Sequence, residues 1–200
     1  VQKLNNDKLK IEIILSVDDQ KDYSEFIKSN FKNIKIKLIT TKKNGSGAGN
    51  ARNIGMKMST GKYIGFLDSD DEYSKNYIQE MYDAVKRHNI VIAETHVYHN
   101  EKKIGIYEGK QNGLLNLTDI SNNPGSFHPF LKKQLAKNFI NKPSQDVFNI
   151  AGLLNKKPIK MIKNVYYKLN LRKDSFTENK HYWHMINLAY KFYQIKSIKE

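Results

Sequence analysis

The sequence predicts an α/β fold with a mixed, mostly parallel sheet flanked by helices. The first observation behind this prediction is that apolar, β-branched segments alternate with amphipathic ones. Strands are predicted over Leu9–Asp19, Asn33–Thr41 and Lys62–Asp71, with helices between them over Lys21–Lys32 and Ala51–Ser59. This strand–helix alternation is the βαβ pattern of a sheet that contains parallel strands.

The second observation is that two of these strands end in carboxylates. Asp18 and Asp19 close the first strand, and Asp68, Asp70 and Asp71 close the third. Ligands of parallel sheets bind beyond the carboxyl ends of the strands. The sequence therefore predicts that the two acidic clusters converge on one crevice.

The rest of the chain continues the alternation as one continuous domain, with halves over residues 1–100 and 101–200. Its apolar residues follow helical or extended periodicity in turn. The predicted elements are a helix over Ser74–Asn89, a strand over Ile90–His99, helices over Pro129–Ile140 and Ser144–Lys156, a strand over Ile159–Asn170 and a helix over Glu178–Lys196.

Composition excludes several classes of function. The 200 residues include no cysteine, so disulfides, thiolate metal sites and a cysteine nucleophile are excluded. The net charge of +14 could attract nucleic acid or anionic lipid. The lysines are dispersed, however, and arginine, the usual reader of bases, occurs only at Arg52, Arg87 and Arg172. We therefore rank a nucleic-acid-binding domain below an enzyme and predict no nucleic-acid partner.

The acidic pair Asp68 and Asp70 forms a D-x-D sequence at a strand end. Like charges this close raise one pKa or recruit a cation. Oxygen ligands favour Mg²⁺ or Mn²⁺, which bind one or two carboxylates together with substrate phosphates. A solvated turn that caps the next helix would place the same residues there, so the motif alone does not decide between the two.

The surrounding sequence favours the metal site. The segment NGSGAGNARNIGMKMSTGKYIGFLDSDD, residues 44–71, resembles the signature of family 2 glycosyltransferases, and IEIILSVDD, residues 11–19, resembles the strand that precedes it. SQDVF, residues 144–148, stands in the place of the family's E-D motif. The resemblance covers most of the chain and implies a GT-A fold, Rossmann-like, that binds a sugar nucleotide and a divalent cation.

The resemblance also implies roles for individual residues. Asp18 or Asp19 would lie near the nucleobase, and Arg52 would help to hold the nucleotide. Asp68 would lie by the ribose or the metal, and Asp70 would ligate Mn²⁺ or Mg²⁺ on the diphosphate. Residues 1–100 would then bind the nucleotide sugar, and residues 101–200 would face the acceptor.

Asp146 stands where the E-D motif places the general base. It would deprotonate the acceptor hydroxyl for in-line attack at the anomeric carbon, which inverts the configuration. A first-turn residue that only stabilises its helix through the dipole is the alternative. The first member of the motif is the neutral Gln145 in this sequence.

Three histidines are weaker candidates. His181 and His184 lie three residues apart in the C-terminal helix and could bind a metal, whereas His96 lies in a strand where an acceptor or donor sugar could sit. A packing or surface role is the default for a histidine without a supporting ligand shell.

The sequence departs from the family at its start. Only eight residues precede Leu9, so the family's opening strand and most of its first helix are missing. We expect its loss to open a gap in the sheet. An active enzyme without this strand is hard to defend, because the missing pairing leaves buried backbone groups unsatisfied. A catalytically inactive or incomplete sugar-nucleotide-binding fragment is therefore the alternative to an active enzyme. The G-S that usually follows V-D-D is Gln20-Lys21 here, which weakens the base contact assigned to Asp19.

Together these features predict a metal-dependent, inverting glycosyltransferase of bacterial surface polysaccharide synthesis. The donor would be a nucleotide-diphosphate sugar, most simply a UDP sugar, and the acceptor a glycan or a lipid-linked glycan. No apolar run approaches the roughly 20 residues of a membrane span. The predicted location is the cytoplasm, with the basic surface at an anionic membrane.

Overall fold

A computed structural model describes residues 9–28, 34–109, 113–121, 127–155, 157–172 and 180–193. The strands are β1 Ile11–Val17, β2 Ile34–Thr40, β3 Tyr63–Ile64, β4 Glu72–Tyr73, β5 Ile90–His99, β6 Lys102–Tyr107, β7 Leu114–Leu115, β8 Phe130–Lys132 and β9 Ile159–Leu171. The helices are α1 Ala48–Met58, α2 Tyr77–His88, α3 Gln145–Leu154 and α4 Lys180–Phe192. Short 3₁₀ helices cover Ser24–Lys28, Leu117–Ser121 and Lys133–Leu135. The mixed α/β class predicted from the sequence is confirmed.

The main sheet is built around the two longest strands. Its order is β3-β8-β5-β9-β4, with β6 added on β5 and β7 on β9. β5 and β9 run parallel, whereas the other pairings of this sheet are antiparallel. The predicted parallel pairing holds for β1–β2 and β5–β9, whereas the other strands of the main sheet pair antiparallel. The reason is that short strands from the second half of the chain return antiparallel onto the parallel centre.

A second sheet consists of β1 and β2 alone, paired in parallel from Ile11 opposite Ile34 to Val17 opposite Thr40. β1 is half-buried along its length except at the buried Val17. Within the described ranges no strand joins β1 to β3, which forms an end of the main sheet. Among the described residues β1 and β2 therefore form a sheet of their own.

Two apolar clusters lie on the main sheet. One packs α2 against β5 and β9 through fully buried side chains such as Met81, Val85 and Val91. The other packs α3 and α4 against the sheet, with Ile150 and Ile186 among its most buried members. The α3 helix is thereby held firmly, so the residues of its first turn are positioned by the core.

Three predicted elements differ from the structure. The strand predicted over Lys62–Asp71 is reduced to β3, Tyr63–Ile64. Residues 129–140, predicted as a basic helix, form strand β8 and a 3₁₀ turn, because Leu131 pairs with both Ile64 and Ile90 and buries its side chain between neighbours. The helix predicted over Lys21–Lys32 is a 3₁₀ helix at Ser24–Lys28, and residues 29–33 lie outside the described residues.

Within the described ranges, no helix combines the length and the apolar character that crossing a bilayer requires.

The glycine-rich entry to α1 packs closely against the chain before α3. A Cβ on Gly49 would lie 2.3 Å from the backbone oxygen of Ile140, so backbone would have to move. We expect Gly49→Ala to lower the free energy of unfolding by about 1–3 kcal/mol, as overpacking usually does. Gly105→Ala is the matched control, because nothing lies within 4 Å of a Cβ there. Denaturant unfolding of both variants checks this, and equal stabilities would contradict the close packing.

Candidate active site

The candidate site begins at the carboxyl end of β1, where Asp18 holds the glycine-rich loop. Its carboxylate accepts hydrogen bonds from the backbone N–H groups of Ser46 at 2.9 Å and Gly47 at 2.8 Å, and from the Thr41 hydroxyl at 2.7 Å. Burial raises the pKa of Asp18, but the hydrogen bonds from Ser46, Thr41 and Gly47 outweigh it and lower the pKa overall. Asp18 therefore fixes the point at which α1 begins.

Asp19 is oriented differently from Asp18. Its carboxylate is exposed and accepts hydrogen bonds from the Lys21 backbone N–H at 3.1 Å and the Tyr23 hydroxyl at 2.9 Å. The hydrogen bond from Lys21 is the main reason that the pKa of Asp19 is lowered. The structure thus places Asp19 in a surface turn beside the glycine-rich loop.

The Ala51-Arg52-Asn53 motif joins α1 to two other parts of the chain. Asn53 exchanges two hydrogen bonds of 2.8 Å with the backbone N–H and carbonyl of Phe139. The Phe139 ring in turn lies under the guanidinium of Arg52, with 5.5 Å from the guanidinium carbon to the ring centroid. Asn53 therefore anchors the residue that supports Arg52 from below.

Arg52 reaches across to the acidic cluster and forms an ion pair with Asp68. Burial raises the pKa of Asp68, but His128 and Arg52 outweigh it and hold the pKa well below its usual range. Asp68 is therefore ionised and already neutralised by a protein cation. This pairing links the predicted nucleotide-binding arginine of α1 to the predicted D-x-D residue.

The last residue of the acidic cluster anchors it to β9. Asp71 is 9% exposed and accepts hydrogen bonds from the Tyr167 hydroxyl at 2.7 Å and the Asn170 backbone N–H at 2.8 Å. Burial outweighs both bonds and raises the pKa of Asp71. The Tyr167 hydroxyl oxygen also accepts the backbone N–H of Asp68 at 3.1 Å, so one tyrosine fixes both ends of the cluster.

Asp70 differs from Asp68 in the cation that it faces, since Arg172 is exposed whereas Arg52 is largely buried. Its carboxylate is 36% exposed, and Arg172 Nε lies 3.5 Å from one oxygen. Its backbone carbonyl accepts a hydrogen bond of 2.7 Å from the Asn170 side chain. Asp70 is therefore fixed through its backbone while its carboxylate faces outward.

Asp146 lies in the first turn of α3, as predicted. Burial is the main reason that the pKa of Asp146 is raised, and the charge of Asp68 adds to it, whereas Arg52 and His128 act in the opposite direction. Asp146 thus shares one electrostatic environment with the Arg52–Asp68 pair. A carboxylate with a raised pKa is a stronger base once it is ionised.

His128 is a site residue that the sequence analysis missed. It lies just before β8, is 7% exposed, and stacks on Tyr167 with ring centroids 4.3 Å apart and an angle of 9° between the planes. Its Nε2 atom is 3.6 Å from an oxygen of Asp68. The available signal was a single polar side chain within the apolar run Phe127–Leu131.

Of the predicted histidines, His96 has its contacts outside this cluster. His96 stacks on Tyr166 with centroids 3.9 Å apart, and its Nε2 lies 3.4 Å from Glu94. His184 is exposed on α4, and the side chain of His181 lies outside the described residues. Among the described residues no group of three or more histidines and acids could hold a metal.

The residues present nevertheless fit a hard cation that completes its shell with substrate and water. Mg²⁺ and Mn²⁺ sites of this kind need one or two carboxylates, with phosphate oxygens supplying the rest. Asp70 offers one half-exposed carboxylate, whereas Asp68 is already paired with Arg52. Asp70 is therefore the residue that would hold the ion, and Asp68 would contribute only if its pairing with Arg52 changed.

The chain matches the family described as Glycosyl transferase family 2 over residues 1–163, and it belongs to that family. The minor teichoic acid biosynthesis protein GgaA of Bacillus subtilis is 39% identical over 101 residues, which cover 48% of this chain and 22% of that protein. GgaB of the same organism is 27% identical over 178 residues, which cover 82% of this chain and 20% of that protein. The chain thus spans about a fifth of the length of these relatives.

Solved structures of the same architecture include S. aureus TarS 1-349 in complex with UDP-GlcNAc. It aligns with a TM-score of 0.63 at 14% identity, over 96% of this chain and 68% of that one. TarS 1-349 in complex with UDP aligns with a TM-score of 0.57 at 15% identity, over 90% of this chain and 64% of that one. These neighbours establish that the fold is GT-A.

The Tyr167 hydroxyl provides a test of how the acidic cluster is held. Tyr167→Phe removes a donor to the buried Asp71 and an acceptor for the Asp68 N–H. Since an unsatisfied buried polar group is costly, we expect the free energy of unfolding to fall by about 1–3 kcal/mol. Tyr82→Phe, on α2, is the control. Denaturant unfolding measures both, and two variants of equal stability would show that Tyr167 contributes only its ring.

Proposed function

We propose that this chain is the catalytic module of an inverting glycosyltransferase that moves a sugar from a nucleotide-diphosphate donor to a hydroxyl of a glycan or a lipid-linked glycan. The observation that carries the proposal is the position of Asp146. It is a carboxylate with a raised pKa in the same electrostatic environment as Arg52 and Asp68. A base of this kind, beside the D-x-D residues of a GT-A fold, suits deprotonation of an acceptor hydroxyl.

The reaction follows from these positions. Asp146 takes the proton of the acceptor hydroxyl, whose oxygen attacks the anomeric carbon from the face opposite the leaving group. The bond from that carbon to the diphosphate oxygen breaks, and the nucleoside diphosphate leaves with the bonding pair. Arg52, fixed over Phe139 and paired with Asp68, is a protein cation whose charge acts on Asp146.

A divalent cation, when bound at Asp70, would supply charge neutralisation for the leaving diphosphate. Arg172, with its Nε 3.5 Å from the Asp70 carboxylate, places a further positive charge at the same position. The proposed cofactor is Mn²⁺ or Mg²⁺, as the D-x-D motif and the oxygen donors indicate.

The relatives support a narrower proposal for donor and acceptor. TarS structures contain UDP-GlcNAc and UDP, which supports a UDP sugar as donor. Two relatives are named for minor teichoic acid biosynthesis, and one from Escherichia coli, 34% identical over 79 residues, is named as a glucosyltransferase acting on a diphosphoundecaprenol-linked sugar. We therefore propose surface polymer synthesis at an anionic membrane as the setting. The net charge of +14 suits that surface.

A sugar-nucleotide-binding domain without transfer activity is the second candidate. The observation in its favour is the separation of the β1–β2 sheet from the main sheet. The β1 strand that carries the predicted base-binding residues contacts α1 through the Ser16 hydroxyl and the segment after α1 through Glu12 and Thr60.

The experiment that separates the two candidates measures release of UDP from UDP-glucose, UDP-galactose and UDP-GlcNAc, with Mn²⁺ and a panel of glycan and lipid-linked acceptors. Release that requires an acceptor, together with a glycosylated product seen by mass spectrometry, supports transfer. Nucleotide binding without acceptor-dependent release from any donor supports the binding domain and contradicts the proposed activity.

A further inference from the structure

His128 is a buried side chain whose ring nitrogens make no hydrogen bond to the described residues, although Nε2 faces the Asp68 carboxylate. Its ring is 7% exposed, and within the described part of the chain neither Nδ1 nor Nε2 has a hydrogen-bond partner. The 3.6 Å between Nε2 and the nearest Asp68 oxygen exceeds hydrogen-bond length. Buried polar groups in folded proteins nearly always have a partner, so a ligand is the expected source of this one.

The His128 ring is held in place by stacking, although its nitrogens form no hydrogen bonds to the described residues. It stacks on Tyr167 at 4.3 Å, and the Tyr167 hydroxyl is itself fixed between the Asp68 backbone and the Asp71 carboxylate. His128 is therefore presented to the site on a rigid support. A side chain prepared in this way can bind a ligand without first being ordered.

Two other buried atoms near Asp146 also lack a partner among the described residues. Arg52 uses Nη2 for Asp68 but leaves Nη1 unpaired, and Gln145, 8% exposed in the turn that carries Asp146, leaves Oε1 unpaired. Nη1 can only donate, whereas Oε1 can only accept. A phosphate oxygen at neutral pH could satisfy the donor but offers no proton to the acceptor. A hydroxyl group can do both, so the set suits a polyhydroxylated ligand better than a simple anion.

We propose that His128 binds a hydroxyl or amide group of the transferred sugar and contributes to the choice of donor. The inference rests on the proposed function and adds a residue to its donor site. Each ring nitrogen of a histidine can form one hydrogen bond, and a sugar hydroxyl can both donate and accept one. His128 lies between Tyr167, on which it stacks, and Asp68, whose nearest carboxylate oxygen is 3.6 Å from Nε2. A sugar that contacts His128 would therefore lie beside the D-x-D residue Asp68.

The test compares UDP, which lacks the sugar, with UDP-GlcNAc, UDP-glucose and UDP-galactose in calorimetric titrations with Mn²⁺. His128→Phe keeps a flat ring to stack on Tyr167 and removes both nitrogens. We expect it to bind UDP as tightly as the wild type and to bind the preferred UDP sugar about five- to tenfold more weakly, as loss of one buried hydrogen bond implies. Discrimination among the three sugars should shrink in the same variant.

His128→Gln provides a second variant, since its amide retains one donor and one acceptor, and it should recover part of the lost affinity. Equal weakening of UDP and the UDP sugars in both variants, or no weakening of either, would overturn the inference. Thermal midpoints of both variants show whether they fold. A wild-type chain that binds neither UDP nor any UDP sugar would contradict the proposed function itself. Wild-type binding that both His128 variants leave unchanged would overturn only the role of His128.

Discussion

Asp146→Asn is expected to lower kcat for sugar transfer by about 10³- to 10⁴-fold while leaving nucleotide affinity within about twofold of the wild type. The asparagine has nearly the same shape but cannot take a proton from the acceptor hydroxyl. Because the side chain acts only in the chemical step, the loss should fall on kcat. Steady-state kinetics and UDP titration of the same preparation check the two parts.

The pH dependence of the wild type gives an independent check on Asp146. Burial raises its pKa above the ordinary 3.8 of an aspartate, so the base loses its proton only at higher pH. Activity should therefore rise with pH along an acid limb that lies above pH 3.8, and this limb should be missing from the residual activity of Asp146→Asn. An identical limb in both proteins would assign it to another group.

In Asp146→Asn, activity should fall while the thermal stability stays the same or rises. Well below pH 3.8, Asp146 is protonated in both the folded and the unfolded chain. Between that pH and the raised pKa of the folded chain, its carboxyl group ionises more readily in the unfolded chain. Stability contributed by this residue is thus lost as pH rises through the window, and the ionised carboxylate is unfavourable at neutral pH. Asp146→Asn should match or exceed the wild-type Tm there. Asp83→Asn on α2 is the control for stability. Near-normal turnover in Asp146→Asn would contradict the assignment of Asp146 as the general base.

Asp70→Asn is expected to weaken metal-dependent nucleotide binding by about 100-fold, the largest effect on binding from any single carboxylate of the cluster. Its carboxylate is half-exposed, whereas Asp68 is paired with Arg52 and Asp71 with Tyr167. The amide keeps the size of the side chain but loses the charge that a hard cation requires. Titration of UDP with and without Mn²⁺ measures the effect.

The fold of Asp70→Asn should be unchanged, because the residue is anchored through its backbone carbonyl rather than its side chain. Circular dichroism and the thermal midpoint verify this, with Asp83→Asn as the matched surface control. If Asp70→Asn keeps the full dependence of UDP binding on Mn²⁺, the cation is held elsewhere. The described carboxylates would then have to be reassigned.

Local sequence patterns were sufficient for the first half of the site. The glycine-rich loop leads directly into α1, and the D-x-D segment follows ten residues after α1 ends, so the local order already brings Arg52 near it. The Arg52–Asp68 pair joins residues only 16 apart. Asp146 was also found correctly in the first turn of α3, because an amphipathic helix with an acidic first turn is a local signal.

The contacts that the sequence did not reveal connect distant parts of the chain. Asp71 is held by a backbone N–H 99 residues away, and Tyr167, which supports His128, acts on Asp71 from 96 residues away. Periodicity and motif spacing carry no information about such pairs. The wrong helix prediction at residues 129–140 has the same origin, since pairing of Leu131 with two other strands outweighs local propensity.

The measurement that tests the central claim most directly is calorimetric titration of the wild-type chain with UDP, with and without Mn²⁺. The claim that this GT-A chain holds a metal-assisted sugar-nucleotide site predicts saturable binding of one UDP per chain, at least about tenfold tighter with Mn²⁺ and without that gain in Asp70→Asn. Failure to bind UDP or any other nucleoside diphosphate in either condition would contradict it.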